Sequence, residues 1–299
     1  MGDVDVSIIL VNYNTRKLTS ECIDSIFSYT KGVRIEVILV DNGSEDGSKE
    51  LFSEDHRILY CYNNENLGFG PANNVGAKYA VGKVLFFLNT DTILIDDAIS
   101  KLYFYLESQK NVVVCGGNLL TAEKEPSNSY ERFFPSISYE LNELFLKIPE
   151  KLFYGRNSKY NHKRKAIKVC YVSGADLMIY RDVFNDLSGF DSNFFMYYEE
   201  TDLCKRAMKH GDVYSYPLAQ IIHYGGRSSK DSLVIPSENK LRIQANSRDY
   251  YLNKHFSKSY LNIYYFISKL RVKSRILEYS ILRNHAIRDM WKQVLSTYK

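Results

Sequence analysis

Short apolar runs recur along the first 120 residues, and the segments between them carry apolar positions three and four apart. The runs 6–11 (VSIILV), 33–40 (VRIEVILV), 58–62 and 84–88 (VLFFL) are brief and rich in β-branched or aromatic residues, which predicts strands. Leu18, Cys22, Ile23, Ile26 and Phe27 mark one face of a helix over 18–29. Helices are also expected over 71–79, with Pro71 in its first turn, and over 96–106, with acids at the end the helix dipole favours. A fifth strand is expected over 112–115.

Strands alternating with helices predict an α/β fold with a mostly parallel, doubly wound sheet. In such sheets ligands bind beyond the carboxyl ends of the strands. The first candidates are therefore the residues after Val11, Val40 and Leu88: Asn12-Tyr13-Asn14, Asp41-Asn42-Gly43-Ser44 and Asn89-Thr90-Asp91. From 117 to 168 the pattern weakens into a polar, aromatic and basic stretch, read as an irregular insert that governs acceptor choice. Strands return over 169–172 and 177–180, then a helix over 199–210 closed by Gly211. Beyond Gly226 the chain reads as helical and basic, without repeats.

Composition is that of an ordinary globular chain, with 45% hydrophobic and 25% charged residues among 299. The net charge of +4 hides an asymmetry. From Lys240 onward, 13 Lys and Arg face only Asp249, Glu278 and Asp289, a tail of +10 on a body of −6. A basic tail suggests an anionic surface partner, and no recognition motif supports nucleic acid. Five cysteines without metal or redox spacing argue for a reducing compartment. The start of the chain lacks the basic and long apolar parts of a leader. No apolar run approaches the roughly 20 residues of a membrane span. The expected location is cytoplasmic, with peripheral contact at the inner face of the membrane.

Several constellations carry candidate chemistry. Asp41 at a strand end can accept the N–H of a pyrimidine, and reads equally as a turn aspartate. Asn89 and Asp91 offer two oxygen ligands one residue apart, which suits a hard divalent cation. In 66–76 (NLGFGPANNVG), Gly68 and Gly70 permit close backbone approach, and Asn73 and Asn74 sit at a helix start. This stretch matches neither a dinucleotide nor a P-loop fingerprint. Glu199, Glu200 and Asp202 crowd the next helix start, where clustered acids raise one another's proton affinity. Acids also favour such positions with no further role. His223 can ligate a metal or sit in the structure as a satisfied imidazole, and Arg227 suits a phosphate.

In order and spacing, these motifs resemble the family 2 glycosyltransferases of the GT-A fold, and within them the bacterial rhamnosyltransferase-like members. NLGFGPANNVG, LNTDT and GFDSNFFMYYEETDLCKR carry the likeness, over roughly residues 4–230. The resemblance implies a GT-A catalytic domain over 1–230, with a nucleotide-sugar half over 1–116 and an acceptor half over 117–230. Residues 231–299 are then a helical basic extension, in contact with a membrane, with a dimer partner or with the core.

It also implies roles. Asp41 matches the acid that holds the pyrimidine, with Asn12, Asn14, Asn66, Gly68, Asn73 and Thr90 around the nucleotide. Asp91 matches the last acid of the metal motif and His223 its partner, while Asn89 stands where many members have an aspartate. Glu200 matches the catalytic base. Gly174, Ala175, Asp176, Tyr198, Glu199 and Arg227 are expected to line the acceptor and sugar pocket. The implied reaction is inverting transfer, dependent on Mg²⁺ or Mn²⁺, from dTDP-rhamnose to a polyprenyl-diphosphate-linked glycan in surface polysaccharide synthesis. A UDP-hexose donor is the alternative, and a non-catalytic nucleotide-sugar-binding subunit is the alternative of another class. A nucleotidyltransferase would need a glycine-rich basic loop near the first strand, and only Arg16 and Lys17 stand there.

Overall fold

Val6, Ile8, Ile9 and Leu10 are fully buried, so the first strand meets apolar neighbours on both of its faces. Near-continuous Val/Ile/Leu runs produce that pattern when helices cover both sides of a sheet. The structure, a computed structural model, describes residues 4–225 and 236–298. The chain runs through β1 (Val6–Asn12), α1 (Arg16–Tyr29), β2 (Ile35–Asp41), α2 (Ser48–Phe52), β3 (Leu59–Tyr62), α3 (Phe69–Ala77), β4 (Val84–Asn89), β5 (Thr92–Leu94), α4 (Ala98–Ser108) and β6 (Val112–Leu120). It continues through β7 (Tyr130–Glu131), α5 (Ile137–Leu144), α6 (Ile148–Tyr154), β8 (Ile167–Lys168), β9 (Tyr171–Val172), β10 (Asp176–Tyr180), α7 (Arg181–Asp186), α8 (Glu199–Ala207) and β11 (Asp212–His223). Three helices close it: α9 (Glu238–His255), α10 (Lys258–Ile281) and α11 (His285–Ser296).

The main sheet has the order β3-β2-β1-β4-β10-β6-β11-β5, with β8 also on β11. Strands β1, β2, β3, β4, β6 and β11 run one way, and β5, β8 and β10 run the other. The sheet is thus mostly parallel, as expected, with β10 inserted antiparallel between β4 and β6. Ile8, Leu10, Leu39 and Phe86 meet Cys22, Ile23 and Ile26 of α1 and Ile99 and Leu102 of α4 on one face. Ile9, Val40 and Phe87 meet Ala72, Phe184 and Leu203 of the α3, α7 and α8 layer on the other. Each such fully buried side chain contributes about 1.5–3 kcal/mol.

The strand expected over 112–115 continues to Leu120, and the one expected over 169–172 shortens to β9, with β8 just before it. The insert over 117–168 is not irregular throughout, because it holds α5 and α6. Helix α5 rests on the tail: the Tyr260 hydroxyl accepts the Ile137 N–H at 2.8 Å, and Arg271 donates to Glu140 at 2.7 Å.

The tail forms a third core, in which Tyr251, Leu252, Leu261 and Tyr264 pack with Phe194. Of the contacts expected for this extension, Tyr264 and Tyr265 make the one with the core. Tyr264 is 2% exposed and donates to Glu140 at 3.0 Å, and the Tyr265 hydroxyl donates to Asp249 at 2.9 Å. Ile267 is half-buried, while Phe266, at 69% exposed, stays outside. Much of the tail's charge is also met within the chain, as Arg248–Asp249, Lys254–Asp191, Arg271–Glu140 and Arg275–Glu278 pairs. Among the described residues no helix is long and apolar enough to cross a membrane.

Candidate active site

Strands β1, β2 and β4 end side by side, in register at Asn12↔Asp41 and Val11↔Asn89. A cavity of about 680 Å³ opens beyond these ends, within the about 300–1,000 Å³ typical of small-molecule sites. Asn66, Gly68, Asn89, Thr90, Asp91, Gly174, Ala175, Glu199, Glu200 and His223 all line it, as expected from the sequence. Tyr13, Thr15 and Asn42 line it as well and had no assigned role. Strand-end position pointed to Tyr13 and Asn42, and not to Thr15.

Other expected residues stand behind the wall. Asn12 is fully buried, and its side chain accepts from the Thr15 and Thr19 hydroxyls and donates to Ser44. Asn14 accepts the Glu45 N–H from a left-handed backbone, and Asn73 donates to the Phe69 carbonyl. Asp41 is also fully buried and does not line the cavity. One of its oxygens accepts the Ser44 N–H at 3.0 Å and the other the Tyr60 hydroxyl at 2.8 Å. These four residues shape the loops that reach the cavity. Asn42 does the joining: it donates to Asn66 at 2.9 Å and accepts the Leu67 N–H at 3.1 Å, tying the end of β2 to the turn before α3.

His223 comes from far along the chain, and β11 delivers it. Antiparallel pairing with β5 sets His223 opposite Thr92, beside Asp91. The imidazole Nε2 lies 3.2 Å from Asp91 Oδ1 and 3.3 Å from the Asn89 amide nitrogen. Asn89 Oδ1 is buried without a partner. Turning that amide over directs the unpaired oxygen toward His223. One carboxylate, one imidazole and one amide oxygen suit a hard cation that takes its other ligands from a diphosphate. No larger cluster of His, Cys, Asp or Glu is present among the described residues.

Glu199 and Glu200 open α8 after an unusual turn. Tyr197 and Tyr198 both have left-handed backbones, with φ of 69° and 71°, a strain of order 1–3 kcal/mol each for such residues. The tail pins the turn, since Ser247 of α9 donates to the Met196 carbonyl at 2.7 Å. Gly68 pins it from the other side. Its φ is +90°, and a Cβ there would lie 2.2 Å from the Phe195 carbonyl oxygen, which accepts the Phe69 N–H at 2.8 Å.

Burial raises the proton affinity of both glutamates. Glu199 is held well above the usual carboxylate range, first by burial and then by the charge of Glu200. Glu200, raised by burial, accepts from the Thr201 hydroxyl at 2.9 Å. Both carboxyls are thus held toward the protonated form, Glu199 the more strongly. Asp202 is occupied elsewhere, by Lys254, His255 and Arg206.

Asp176 is corrected as a pocket residue. It is fully buried in the sheet, does not line this cavity and accepts the Gly117 N–H at 2.6 Å. Burial holds it well above the usual range, so it sits there as a neutral acid. Tyr198 lines a second cavity rather than this one. Arg227 lies outside the described residues. The tail contributes to the strand-end cavity through Ser237, Asn239 and Lys240, and Lys240 is the one Lys or Arg among its described walls.

Ligand groups at the ends of β1, β2 and β4, a carboxylate–imidazole pair and an acidic helix start define the class, an α/β transferase of the GT-A type. Residues 7–188 match Glycosyl transferase family 2, and the chain belongs to that family. It is similar to the low-salt glycan biosynthesis hexosyltransferase Agl10 of Haloferax volcanii, 27% identical over 270 residues, or 87% of this chain and 80% of that protein. It is also similar to the O-antigen chain rhamnosyltransferase RfbN of Salmonella typhimurium, 27% identical over 188 residues, or 62% of this chain and 55% of that protein. Among solved structures, the mannosyltransferase PcManGT from Pyrobaculum calidifontis in complex with GDP-Man and Mn²⁺ shares the fold. Its TM-score is 0.61 at 14% identity, over 99% of this chain and 86% of that one.

Proposed function

We propose that the enzyme moves a hexosyl or 6-deoxyhexosyl group from a nucleotide diphosphate to a glycan hydroxyl, with inversion. One observation carries the reading: a single cavity gathers the strand-end residues, the Asp91–His223 pair and Glu200. In this reading Asn42, Asn66 and Thr90 receive the nucleotide, with Asp41 behind them. Asp91, His223 and Asn89 would hold Mg²⁺ or Mn²⁺, and Lys240 adds positive charge. When bound, the cation neutralises charge that builds on the departing diphosphate. Glu200 takes the proton from the acceptor hydroxyl, helped by its raised affinity. Glu199 stays neutral and spares the site a second negative charge.

The donor in this proposal is dTDP-rhamnose, with a UDP-hexose as the second reading. The likeness to a named rhamnosyltransferase supports the first, and that to a named hexosyltransferase supports the second. A lipid-linked glycan acceptor at the inner membrane face belongs to the same proposal. Exposed Phe145, Leu152 and Phe153, near Lys147 and Lys151 in sequence, support contact with an anionic surface.

Thermal shift with dTDP-, UDP- and GDP-sugars, with and without Mn²⁺, tests the donor. A bound donor at a hundredfold excess over Kd should stabilise the fold by about 2.7 kcal/mol. The gain should need the metal and vanish in Asp91→Asn. Stabilisation by no nucleotide sugar, or one indifferent to Asp91→Asn, defeats the proposal.

A further inference from the structure

Helix α10 is apolar on two opposite faces. Leu261, Tyr264, Ser268 and Val272 are buried along the inner one. There Tyr264 and Arg271 hold α5 through Glu140 and line the second cavity, of about 660 Å³. On the outer face Ile263, Phe266, Leu270, Leu277 and Ile281 stand 47% to 72% exposed. At about 100° per residue these five fall within about 60° of one another, in a stripe about 27 Å long.

A helix apolar on both faces is normally buried, and an exposed apolar patch of this extent marks an interaction surface. The shape of the stripe indicates what covers it. A helix that faces a globular core carries an apolar sector of at least about 100°, whereas a contact line for a second helix is narrower. Ile263, Phe266 and Leu270 are three and four residues apart, and Lys273 and Leu277 continue the alternation. That is the spacing of one helix packed along another.

A bilayer suits the stripe less. A helix lying in a membrane interface needs a charged face beside its apolar one. In α10 that side faces the protein core, and its Arg271 and Arg275 are occupied by Glu140 and Glu278. Lysines flank the stripe on one side only, at 269 and 273, while Ile267 and Ser274 stand on the other.

Another α10 fits it. About a two-fold axis midway between Arg271 and Val272 the stripe maps onto itself, the self-complementarity that a symmetric dimer requires. Phe266 then falls beside Leu277 of the other copy, and Leu270 beside Lys273. Parallel pairing would set Lys273 against its own copy, whereas antiparallel pairing lays its aliphatic stem on a leucine. A single lysine in an otherwise apolar contact line fixes register in this way, at a cost in stability. Five side chains of this size and exposure present several hundred Å², on the scale of the about 800 Å² per partner of a standard interface.

We propose that two copies of this chain associate through α10, antiparallel, with Phe266, Leu270 and Leu277 at the centre of the contact. The partner braces from outside the helix whose inner face carries Tyr264 and Arg271.

Sedimentation of the full chain across the micromolar range tests this without nucleotide or acceptor, and so apart from the proposed reaction. The chain should sediment at twice its monomer mass, and Phe266→Lys should weaken association at least tenfold. Lys273→Leu, which completes the apolar stripe, should tighten it at least tenfold while the species stays a dimer. That gain keeps the test decisive if Phe266→Lys fails to fold. Direction is read with a short bis-maleimide. An equimolar mixture of Phe266→Cys and Leu277→Cys chains should cross-link beyond the background of the unaltered chain. Phe266→Cys alone should not, because its two copies lie about 16 Å apart along the helices. A monomer throughout the range overturns the proposal, as does association indifferent to both substitutions, or cross-linking of Phe266→Cys alone. So does a monomeric chain that binds phosphatidylglycerol vesicles and releases them in Phe266→Lys, which would mean that lipid covers the stripe.

Discussion

The strand-end cavity and the second cavity, beneath the tail, meet at Ser173, Gly174, Tyr197 and Glu200, but their walls are held by different forces. The first is framed by the backbone. Asn42, Asn89 and Thr90 follow the ends of fully buried strands whose register is set by ladder hydrogen bonds and by apolar packing on both faces. The second is framed by side chains that reach between segments more than 100 residues apart, such as Glu140 with Arg271 and Ile137 with Tyr260. A wall set by a sheet survives most single substitutions elsewhere. A wall set by a few buried polar contacts depends on each of them.

The largest break in this comparison should come at the shared carboxylate. Glu200→Gln should lower kcat by about 10²–10⁴, the usual contribution of a positioned base, with nucleotide affinity unchanged by calorimetry. Normal turnover in that variant would remove Glu200 from the chemistry and leave the two cavities without a common role.

The next test separates the frames. Glu140→Ala strands Arg271 without its counter-ion, and Glu140 is 2% exposed. Breaking a buried pair in this way costs about 3–5 kcal/mol. Denaturant unfolding should find that loss, while limited proteolysis should find the tail cut before the sheet. A loss below about 1 kcal/mol would mean that the second frame is held elsewhere.

The smallest effect sharpens the account of the acids. The acid limb of the pH–rate profile should lie above the ordinary carboxylate range, because burial raises Glu200 and only its ionised form accepts a proton. Glu199→Gln mimics the neutral acid, so the limb should stay where it is. A limb moved to lower pH would mean that Glu199 is charged in the working enzyme. Stability carries a sign of its own. A carboxyl raised by folding keeps its full contribution below its unfolded pKa and loses it as pH rises toward the folded value. Glu199→Gln removes that loss and should raise Tm near neutral pH by about 2–4 °C for each kcal/mol recovered.

The same division governs what was legible in the sequence. The ends of β1, β2 and β4 were readable because unbroken apolar runs announce central strands. Asn66, Gly68, Asp91 and Glu200 were placed by motif and do line one cavity. β11 was missed because Asp212, Ser215 and Pro217 interrupt its apolar pattern, and its pairing with β6 shifts register between Ser215 and Gln220. Helices α5 and α6 were missed because α5 is held by α10 and α6 by α5, through Asn142 and Glu150, contacts that no local pattern reveals. The contact made by Tyr264 stayed open for a related reason. An apolar helix face looks the same in sequence whether lipid or Glu140 and α5 cover it.

The contact of Gly68 with the Phe195 carbonyl leads to a last point. It is a seam where the donor-side loop and the turn carrying the acids touch backbone to backbone. The two halves also meet backbone to backbone in the sheet, where β10 pairs with β4 and β11 with β5. A hybrid enzyme that kept residues 4–116 and borrowed its insert and tail from a relative would have to keep this joint as well as those ladders. It would need glycine on one side of that joint and a carbonyl in the same register on the other, whatever acceptor the borrowed half brought with it.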